Sequence, residues 1–342
     1  MHEKPLDSKA KALLTAIAAA NLPSIDSVPL EMARVQVETG MDKLNIPVKP
    51  VNHIADYGIE VEHHRIPVRV YYPEILDNTA PHAEIPTLIF FHGGGWVFFT
   101  LDSYDSLCTH LCAMAKAIVT SVDYRRSPEY RYPVPMDDCV AATEYILSHS
   151  ENWNIFSDRF YLVGDSAGGN LAAVTAMKLR DLCRSEHQKR IESPTVSGDR
   201  LIRCDLYTKI SGQILLYPVT DYYSNQKPSH LKFSDGYGLS MNDMVWFWKQ
   251  YLENEDLAFN PYVSPLQAKD LSELPPALVI VSGYDPLRDE GILYGNRLQS
   301  ACVKTRLLVY DDMIHGFLSY LGILKQAIPA LKEVSSWIRE AG

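Results

Sequence analysis

Short, almost wholly apolar runs recur along the chain between stretches of helical periodicity. Runs of this length are typical of strands that are buried on both faces of a sheet. They lie at residues 88–91, 117–122, 160–163, 214–217, 277–281 and 307–310. Helical stretches separate most of them, at residues 103–115, 136–148, 170–182, 290–300 and 321–340. The alternation predicts an α/β fold with a mainly parallel, twisted sheet and helices on both faces.

Other segments depart from this alternation. Residues 8–20 and 28–39 are predicted helices, and residues 59–72 alternate between apolar and polar as in a β-hairpin or paired edge strands. Residues 184–208 are polar and charged, which favours a long surface loop. Residues 221–265 lack a clear strand but carry tryptophans and other large apolar side chains at helical spacing. Such a stripe is typical of core packing and also suits a lid over an apolar pocket.

Charge and hydropathy exclude some classes of function. The formal net charge is −10 and the basic pairs are isolated, so we expect no nucleic-acid-binding surface. No apolar run approaches the roughly 20 residues of a membrane-spanning helix, and we expect no stable membrane insertion. Residues 12–20 could pass for a secretory segment, but Glu3 and Asp7 interrupt the basic region before them. An amphipathic helix of the mature protein is favoured.

The six cysteines are scattered through the chain without a C-x-x-C pair. They are Cys108, Cys112, Cys139, Cys183, Cys204 and Cys302. Cys108 and Cys112 could share a helix face, but His110 between them would point elsewhere, so a metal site is not expected. Free thiols are favoured, and this usage indicates a reducing, cytoplasmic compartment.

The pentapeptide Gly164-Asp165-Ser166-Ala167-Gly168 lies between an apolar run and a helical stretch. A serine at the apex of a strand-turn-helix adopts strained backbone angles that expose its hydroxyl, and small neighbours avoid collisions there. Ser166 is therefore the candidate nucleophile. The alternative is an ordinary turn of small residues that performs no chemistry.

A serine hydroxyl needs a base to take its proton, usually a histidine oriented by a buried carboxylate. Asp285 and His315 each follow one of the last two predicted strands, and the carboxyl ends of parallel strands share one edge of the sheet. Asp289 and Glu290 are alternatives for the acid, but they are placed to begin the next helix, where acidic residues serve as caps. The order serine, aspartate, histidine is that of α/β-hydrolases.

A run of glycines, His92-Gly93-Gly94-Gly95-Trp96, follows the first buried strand. Glycines let the backbone approach a substrate closely, so we expect the amides of Gly93, Gly94 and Ala167 to form an oxyanion hole. His92 and Gly95 are expected to support this loop. A phosphate-binding loop is the competing interpretation, but the G-K-[S/T] ending and the G-x-G-x-x-G spacing are both missing.

Together these motifs resemble the hormone-sensitive-lipase-like branch of the α/β-hydrolases, especially its bacterial acetyl-esterase and carboxylesterase members. The matching residues are His92-Gly93-Gly94-Gly95-Trp96, Asp123-Tyr124-Arg125, Ser127-Pro128-Glu129, Gly164-Asp165-Ser166-Ala167-Gly168-Gly169-Asn170, Asp285-Pro286-Leu287 and His315-Gly316-Phe317. The resemblance implies an α/β-hydrolase fold with a helical cap. It also implies hydrolysis of short-chain esters, acetyl to about hexanoyl, through an acyl-enzyme intermediate and without a metal or organic cofactor.

The resemblance also suggests a division of the chain. We assign residues 51–220 and 266–342 to the catalytic domain and residues 1–50 and 221–265 to the cap. The expected binding partner is a small-molecule ester. A homodimer is an alternative to a monomer, because members of the family often dimerise.

The chain departs from the family pattern near the expected pocket. Phe98 and Phe99 stand where many relatives carry a smaller residue, and Arg126 and Ser127 stand where leucine and alanine are usual. The phenylalanines would narrow the acyl pocket, which favours short acyl groups. We expect the substrate pocket to include Trp96, Phe98, Phe99 and Phe317.

Two alternative functions remain. The same triad could hydrolyse amides, peptides or N-acyl groups, which requires a leaving-group acid well placed for an amine. A plant branch resembling this family uses the pocket as a hormone receptor and has lost the catalytic histidine. Because His315 is present here, an enzyme is favoured over a receptor.

Overall fold

The computed structural model describes residues 4–44, 46–74, 85–192 and 202–340. Its strands are β1 (His53–Val61), β2 (His64–Tyr72), β3 (Thr87–Phe91), β4 (Ile118–Val122), β5 (Phe160–Asp165), β6 (Ile210–Leu216), β7 (Ala277–Tyr284) and β8 (Thr305–Ile314). They form an eight-stranded sheet in the order β1-β2-β4-β3-β5-β6-β7-β8. The pairs β1–β2 and β2–β4 are antiparallel, and the other pairs are parallel. The predicted α/β class and mainly parallel sheet are confirmed.

Helices cover both faces of this sheet. Helices α3 and α10 pack on one face, and α4, α5 and α9 pack on the other. The helices of the described residues are α1 (Ser8–Ala19), α2 (Leu30–Leu44), α3 (Leu101–Ala115), α4 (Val134–His149), α5 (Ala167–Glu192), α6 (Ile202–Tyr207), α7 (Pro228–Lys232), α8 (Met241–Tyr251), α9 (Arg288–Ser300) and α10 (Ala327–Glu340). Successive strand side chains point to opposite faces, so Leu88 and Phe90 pack in one cluster with α3 and α10. Ile89 and Phe91 pack in a second cluster with α4, α5 and α9.

The last helix begins six residues later than the pattern at 321–340 predicts. Proline cannot donate the hydrogen bond of a helix interior and is tolerated only in the first turn. Pro329 therefore places the start of α10 close to Ala327. A separate 3-10 helix, Phe317–Tyr320, lies between β8 and α10.

The expectation of a long loop at residues 184–208 is wrong for the described part of that segment. Helix α5 continues to Glu192, and α6 begins at Ile202; residues 193–201 lie outside the described residues. Polar residues that suggested a loop lie on the outer face of the long helix α5. Arg184 of α5, for example, forms ion pairs of 2.7 Å with Asp270 and with Glu273.

A disulfide bond joins Cys183 of α5 to Cys204 of α6. The expectation of free thiols is therefore wrong for this pair, whose Cα atoms lie 4.5 Å apart although 21 residues separate them in sequence. Cys108, Cys112 and Cys139 are free and buried, as expected. Disulfides persist in oxidising environments, so this bond removes support from the inference of a reducing compartment.

Segments from the two expected cap regions meet above the loop that follows β3. Ala33 of α2 packs with Phe98, and Trp246 and Phe247 of α8 pack against the same cluster. This packing supports the assignment of residues 1–50 and 221–265 to a cap, which stays a prediction. Within the described ranges, no helix has the length and apolarity needed to cross a membrane.

Candidate active site

Ser166 lies on the turn between β5 and α5 with a left-handed backbone, φ 54°. Its amide donates a hydrogen bond to the Leu216 carbonyl at 2.8 Å, which ties the turn to the neighbouring strand β6. A Cβ on Gly164 would lie 2.1 Å from the Gly168 carbonyl oxygen, and a Cβ on Gly168 would lie 2.0 Å from that of Phe91. The turn therefore requires glycine on both sides of a strained serine, as the sequence predicts.

The three predicted triad residues lie in hydrogen-bond contact. The Nε2 atom of His315 is 3.0 Å from Ser166 Oγ, and Nδ1 is 2.7 Å from Asp285 Oδ2. A carboxylate oxygen can only accept, so Nδ1 carries the proton and Nε2 is left to accept from the serine. The fully buried Asp285 also accepts a hydrogen bond of 2.8 Å from the Leu287 amide through Oδ1, which fixes its orientation.

The alternative acids, Asp289 and Glu290, lie in the first turn of α9, as expected. Asp289 accepts a hydrogen bond of 2.8 Å from the Ser229 amide. Glu290 accepts a bond of 2.7 Å from the Thr220 amide and lies 3.1 Å from His230 Nε2. Both carboxylates are therefore engaged with segments that follow β6 rather than with the candidate base.

The Gly93 amide does not face the cavity beside Ser166, so the expectation that it is an oxyanion donor is wrong. It donates to Asp165 Oδ1 at 2.8 Å and approaches the Tyr104 hydroxyl at 3.1 Å. A donor already held by a buried carboxylate is not available to a substrate. Sequence reasoning missed this arrangement because Tyr104 lies on α3, 11 residues away, and carries no motif signal.

Three other amides remain available around the serine. Among the described residues, no acceptor takes the amide hydrogens of Gly94, Gly95 and Ala167. Gly94 and Gly95 line the cavity that contains Ser166, and both have positive φ angles, 96° and 59°. Ala167 is the first residue of α5, where amides have no intrahelical partner. Gly95, which we expected only to support the loop, is thus better placed as a donor than Gly93.

Asp165 connects the serine turn to the glycine loop. Its carboxylate is buried and accepts from the Gly93 amide and, at 2.9 Å, from the Tyr104 hydroxyl. Burial raises the pKa of this carboxyl to about 6, although both hydrogen bonds and the attraction of His315 lower it. Burial also raises the pKa of Tyr104 well above its usual value, which keeps the phenol protonated as a donor.

His92 is fully buried beneath the glycine loop. Its Nδ1–H donates to the Gly93 carbonyl at 2.8 Å, and its ring stacks on Tyr124 with centroids 4.4 Å apart. The Tyr124 hydroxyl donates to the His92 carbonyl at 2.8 Å. Burial lowers the pKa of His92 to about 4, so the ring is neutral near pH 7. These contacts agree with the expected role in supporting the loop.

A cavity of about 280 Å³ opens beside Ser166. Its lining includes the expected Phe98 and Phe99, and Phe247 from α8. Trp96 and Phe317 do not belong to this lining, which corrects the prediction for both. Fully buried Trp96 stacks on Tyr251 with ring centroids 4.1 Å apart, and fully buried Phe317 packs against Tyr217 and Tyr310.

Across the described ranges, no group of three or more His, Cys, Asp and Glu side chains is arranged to hold a metal ion. The reacting groups that the site does offer are a hydroxyl, an imidazole and a carboxylate. This combination can activate a serine for attack on a carbonyl carbon.

A serine on a strained strand-to-helix turn, with an acid and a histidine after the last two strands of a mainly parallel sheet, defines the class of α/β hydrolases. The chain belongs to the alpha/beta hydrolase fold family, whose model matches residues 88–319. The expected fold is therefore confirmed.

Individual relatives agree with this placement. Esterase LipI of Mycobacterium tuberculosis is 33% identical over 318 residues, which cover 90% of each protein. An arylesterase of Saccharolobus solfataricus is 30% identical, with 92% of each protein covered. The solved structure of a hyperthermophilic esterase from the archaeon Pyrobaculum calidifontis has a TM-score of 0.85 at 31% identity, covering 98% of this chain and 99% of that one. The resemblance to the hormone-sensitive-lipase-like branch is thereby confirmed.

Proposed function

We propose that the protein is a serine carboxylesterase that hydrolyses short-chain acyl esters, acetyl to about hexanoyl, with Ser166 as nucleophile. The observation that carries the proposal is the hydrogen-bonded series from Ser166 Oγ through His315 to Asp285, with spacings of 3.0 and 2.7 Å. Ester hydrolysis as such is supported by relatives named as esterases and as a carboxylic ester hydrolase. The chain is a carboxylic-ester hydrolase on this basis.

The first half of the reaction transfers the acyl group to the enzyme. As Ser166 Oγ bonds to the ester carbonyl carbon, Nε2 of His315 takes the hydroxyl proton. Asp285 holds the imidazole in the required tautomer and stabilises the imidazolium. The oxygen that becomes negative accepts hydrogen bonds from the amides of Gly94, Gly95 and Ala167. When the tetrahedral intermediate collapses, the carbon–oxygen bond to the alcohol breaks and His315 protonates the leaving alcohol.

The second half releases the acid. His315 takes a proton from water, and the resulting hydroxide bonds to the acyl carbon. The same three amides hold the negative oxygen of this second intermediate. The bond to Ser166 Oγ then breaks, and His315 returns the proton to the serine. The net change is one ester and one water converted to one alcohol and one carboxylic acid.

The shape of the cavity supports the preference for short acyl groups. The cavity beside Ser166 has a volume of about 280 Å³, and the acyl group must lie against its wall for the ester carbonyl to reach the serine. Phe98 and Phe99 contribute rings to its wall, and Phe247 of the cap contributes another. Each methylene added to an acyl chain must therefore compete for space with rigid aromatic side chains.

The test is labelling by a fluorophosphonate probe together with release of p-nitrophenol from acetyl, butyryl, hexanoyl and decanoyl esters. We expect labelling of the wild type, none of Ser166→Ala, and faster turnover of the three shorter esters. Matched p-nitroanilides test the amide-hydrolase alternative. Folded wild type that takes no label and hydrolyses none of these substrates would leave only the receptor alternative.

A further inference from the structure

We propose that Arg126 and Glu38 position Phe99, and that they thereby set the acyl-chain preference of the enzyme. We call these two side chains and the Phe99 backbone groups that they bind the Phe99 clamp. The inference rests on the proposed esterase function and adds to it two residues that touch neither the triad nor the oxyanion donors.

The clamp holds both backbone polar groups of Phe99. Glu38 Oε1, from α2, accepts a hydrogen bond of 3.2 Å from the Phe99 amide. Arg126 Nη1 donates a bond of 2.8 Å to the Phe99 carbonyl. The two side chains also pair with each other, with 3.4 Å between Nη1 and Oε1. One residue of the pocket wall is thus held on each side by a half-buried ion pair.

Phe99 needs such support because its backbone is strained. Its φ angle is 74°, in the left-handed region where a bulky side chain is unfavourable. Its ring lines the cavity beside Ser166 and meets Tyr104 edge to face, with centroids 5.8 Å apart. Rotation of this backbone towards ordinary angles would swing the ring relative to the cavity. The width of the acyl pocket therefore depends on the contacts that hold the residue in place.

Helix α2 is itself firmly attached beside the clamp. Arg34 lies four residues before Glu38, so the two side chains share one helix face. Arg34 donates to the Val97 carbonyl at 3.1 Å and to the Ser127 carbonyl at 3.0 Å. It also forms a two-point ion pair with Glu129, with spacings of 2.7 and 2.8 Å. These contacts hold α2 in place, so Glu38 has a fixed position beside Phe99.

Arg126 is required for one half of the clamp. A leucine at this position would have no group that could donate to the Phe99 carbonyl, which Arg126 Nη1 holds at 2.8 Å. Phe99 and the side chain that holds its carbonyl therefore form one functional unit.

The experiment compares kcat/KM for p-nitrophenyl octanoate and p-nitrophenyl acetate. We expect Arg126→Leu to raise the octanoate-to-acetate ratio by about tenfold, mainly through a lower KM for octanoate, because the released ring no longer excludes the longer chain. Phe99→Ala should raise the ratio as well. Adding Arg126→Leu to Phe99→Ala should then change the ratio no further, since the two changes act on the same wall.

Arg131→Leu is the matched control. Arg131 also donates from Nη1 to backbone carbonyls, but the residues that it holds, Lys249 and Leu252, do not line the cavity. Its removal should leave the ratio at the wild-type value. Arg126→Lys, which keeps a donor for the Phe99 carbonyl, should return the ratio towards wild type.

An unchanged ratio in folded, active Arg126→Leu overturns the clamp and leaves the esterase proposal intact. If that variant does not fold, Glu38→Met provides the test, because methionine removes both the acceptor for the Phe99 amide and the pairing with Arg126. An unchanged ratio in this variant overturns the clamp equally. A ratio that rises as much in Arg131→Leu as in Arg126→Leu also overturns it. Wild type that hydrolyses no ester overturns the proposed function and the clamp with it.

Discussion

The Gly93 amide donates a hydrogen bond of 2.8 Å to the carboxylate of Asp165, the residue directly before the candidate nucleophile. The serine turn and the glycine loop are therefore joined through a buried charged group. Hydrogen bonds to an ionised acceptor are stronger than those between neutral groups, so this contact fixes the spacing between Ser166 and the amides of Gly94 and Gly95. It does so at a cost, because a buried carboxylate resists ionisation.

This cost predicts how Asp165→Asn changes stability with pH. The pKa of Asp165 is raised from 3.8 to about 6 on folding, so between these values the folded state binds more protons than the unfolded state. The free energy of unfolding contributed by this group therefore falls as pH rises through that window, by about 3 kcal/mol in all. Asparagine carries no such charge. We expect urea unfolding to show the variant more stable than wild type by about that amount near pH 7.5, with the difference vanishing near pH 4.

Tyr104→Phe is the control with the opposite sign. It removes one hydrogen bond to the Asp165 carboxylate and keeps the ring, so the pKa of Asp165 should rise further. Its loss of stability should be larger near pH 7.5 than near pH 4. A stability difference between Asp165→Asn and wild type that does not depend on pH would contradict the buried charge.

Gly94→Ala should lower catalysis through the oxyanion amides. Gly94 has a φ angle of 96°, and a Cβ there would lie 2.6 Å from the Phe98 carbonyl oxygen, so the loop must shift. Misplacing one donor costs about 100- to 1,000-fold in kcat. We expect a loss of this size with p-nitrophenyl acetate, while fluorophosphonate still labels Ser166 slowly.

Gly40→Ala provides the comparison for that loss. Gly40 lies in α2, and a Cβ there would meet nothing within 4 Å. Alanine in a helix interior is about 1 kcal/mol more favourable than glycine, so this variant should be slightly more stable and fully active. Equal kcat values for the two variants would show that the Gly94 amide does not serve as an oxyanion donor.

The sequence predicted those features of the fold and of the candidate site that depend on local patterns of residues. Apolar runs identify the buried strands, and the rule that sites gather at the carboxyl ends of parallel strands brings Ser166, Asp285 and His315 to one edge. Their mutual distances agree with this prediction. The elbow is predictable for the same reason, since its glycines are required by contacts within a few residues of the serine and with the adjacent strand.

The errors at the candidate site concern contacts between distant segments. The partners of the Gly93 amide include Tyr104, whose approach depends on how α3 packs on the sheet. The direction of Trp96 depends on α8, which supplies the ring of Tyr251 on which it stacks. Motif position alone assigns both residues to the substrate side. Tertiary packing instead places the side chain of Trp96 in the core, and it brings the amide of Gly93 into a hydrogen bond with Asp165.

The disulfide between Cys183 and Cys204 should contribute to stability without affecting catalysis. It closes a loop of 21 residues, for which chain entropy gives about 3 kcal/mol. Cys183 lies 17 residues beyond Ser166 along the same helical segment, or about 25 Å at the rise of an α-helix. We expect the double variant Cys183→Ser, Cys204→Ser to unfold at lower urea concentration and to keep the wild-type kcat.

Mass spectrometry of protein that is unfolded in urea and alkylated with and without reductant measures the bond directly. Wild type should gain two further alkyl groups after reduction, and the double variant should gain none. Reductant should also lower the urea midpoint of wild type alone. Six alkylated cysteines in unreduced wild type would show that the bond is absent.

Asp285→Asn should distinguish Asp285 from the alternative acid Asp289. If the amide nitrogen of asparagine donates to Nδ1 of His315, the imidazole proton moves to Nε2, and the ring can no longer take the proton of Ser166. The wrong tautomer costs about 10,000-fold in kcat while the fold is retained. Asp289→Asn is the matched comparison, because Asp289 contacts the Ser229 amide and should influence only the attachment of α7. We expect a nearly normal kcat with p-nitrophenyl butyrate for Asp289→Asn. A loss as large as that of Asp285→Asn would indicate that Asp289 of α9 acts as the acid.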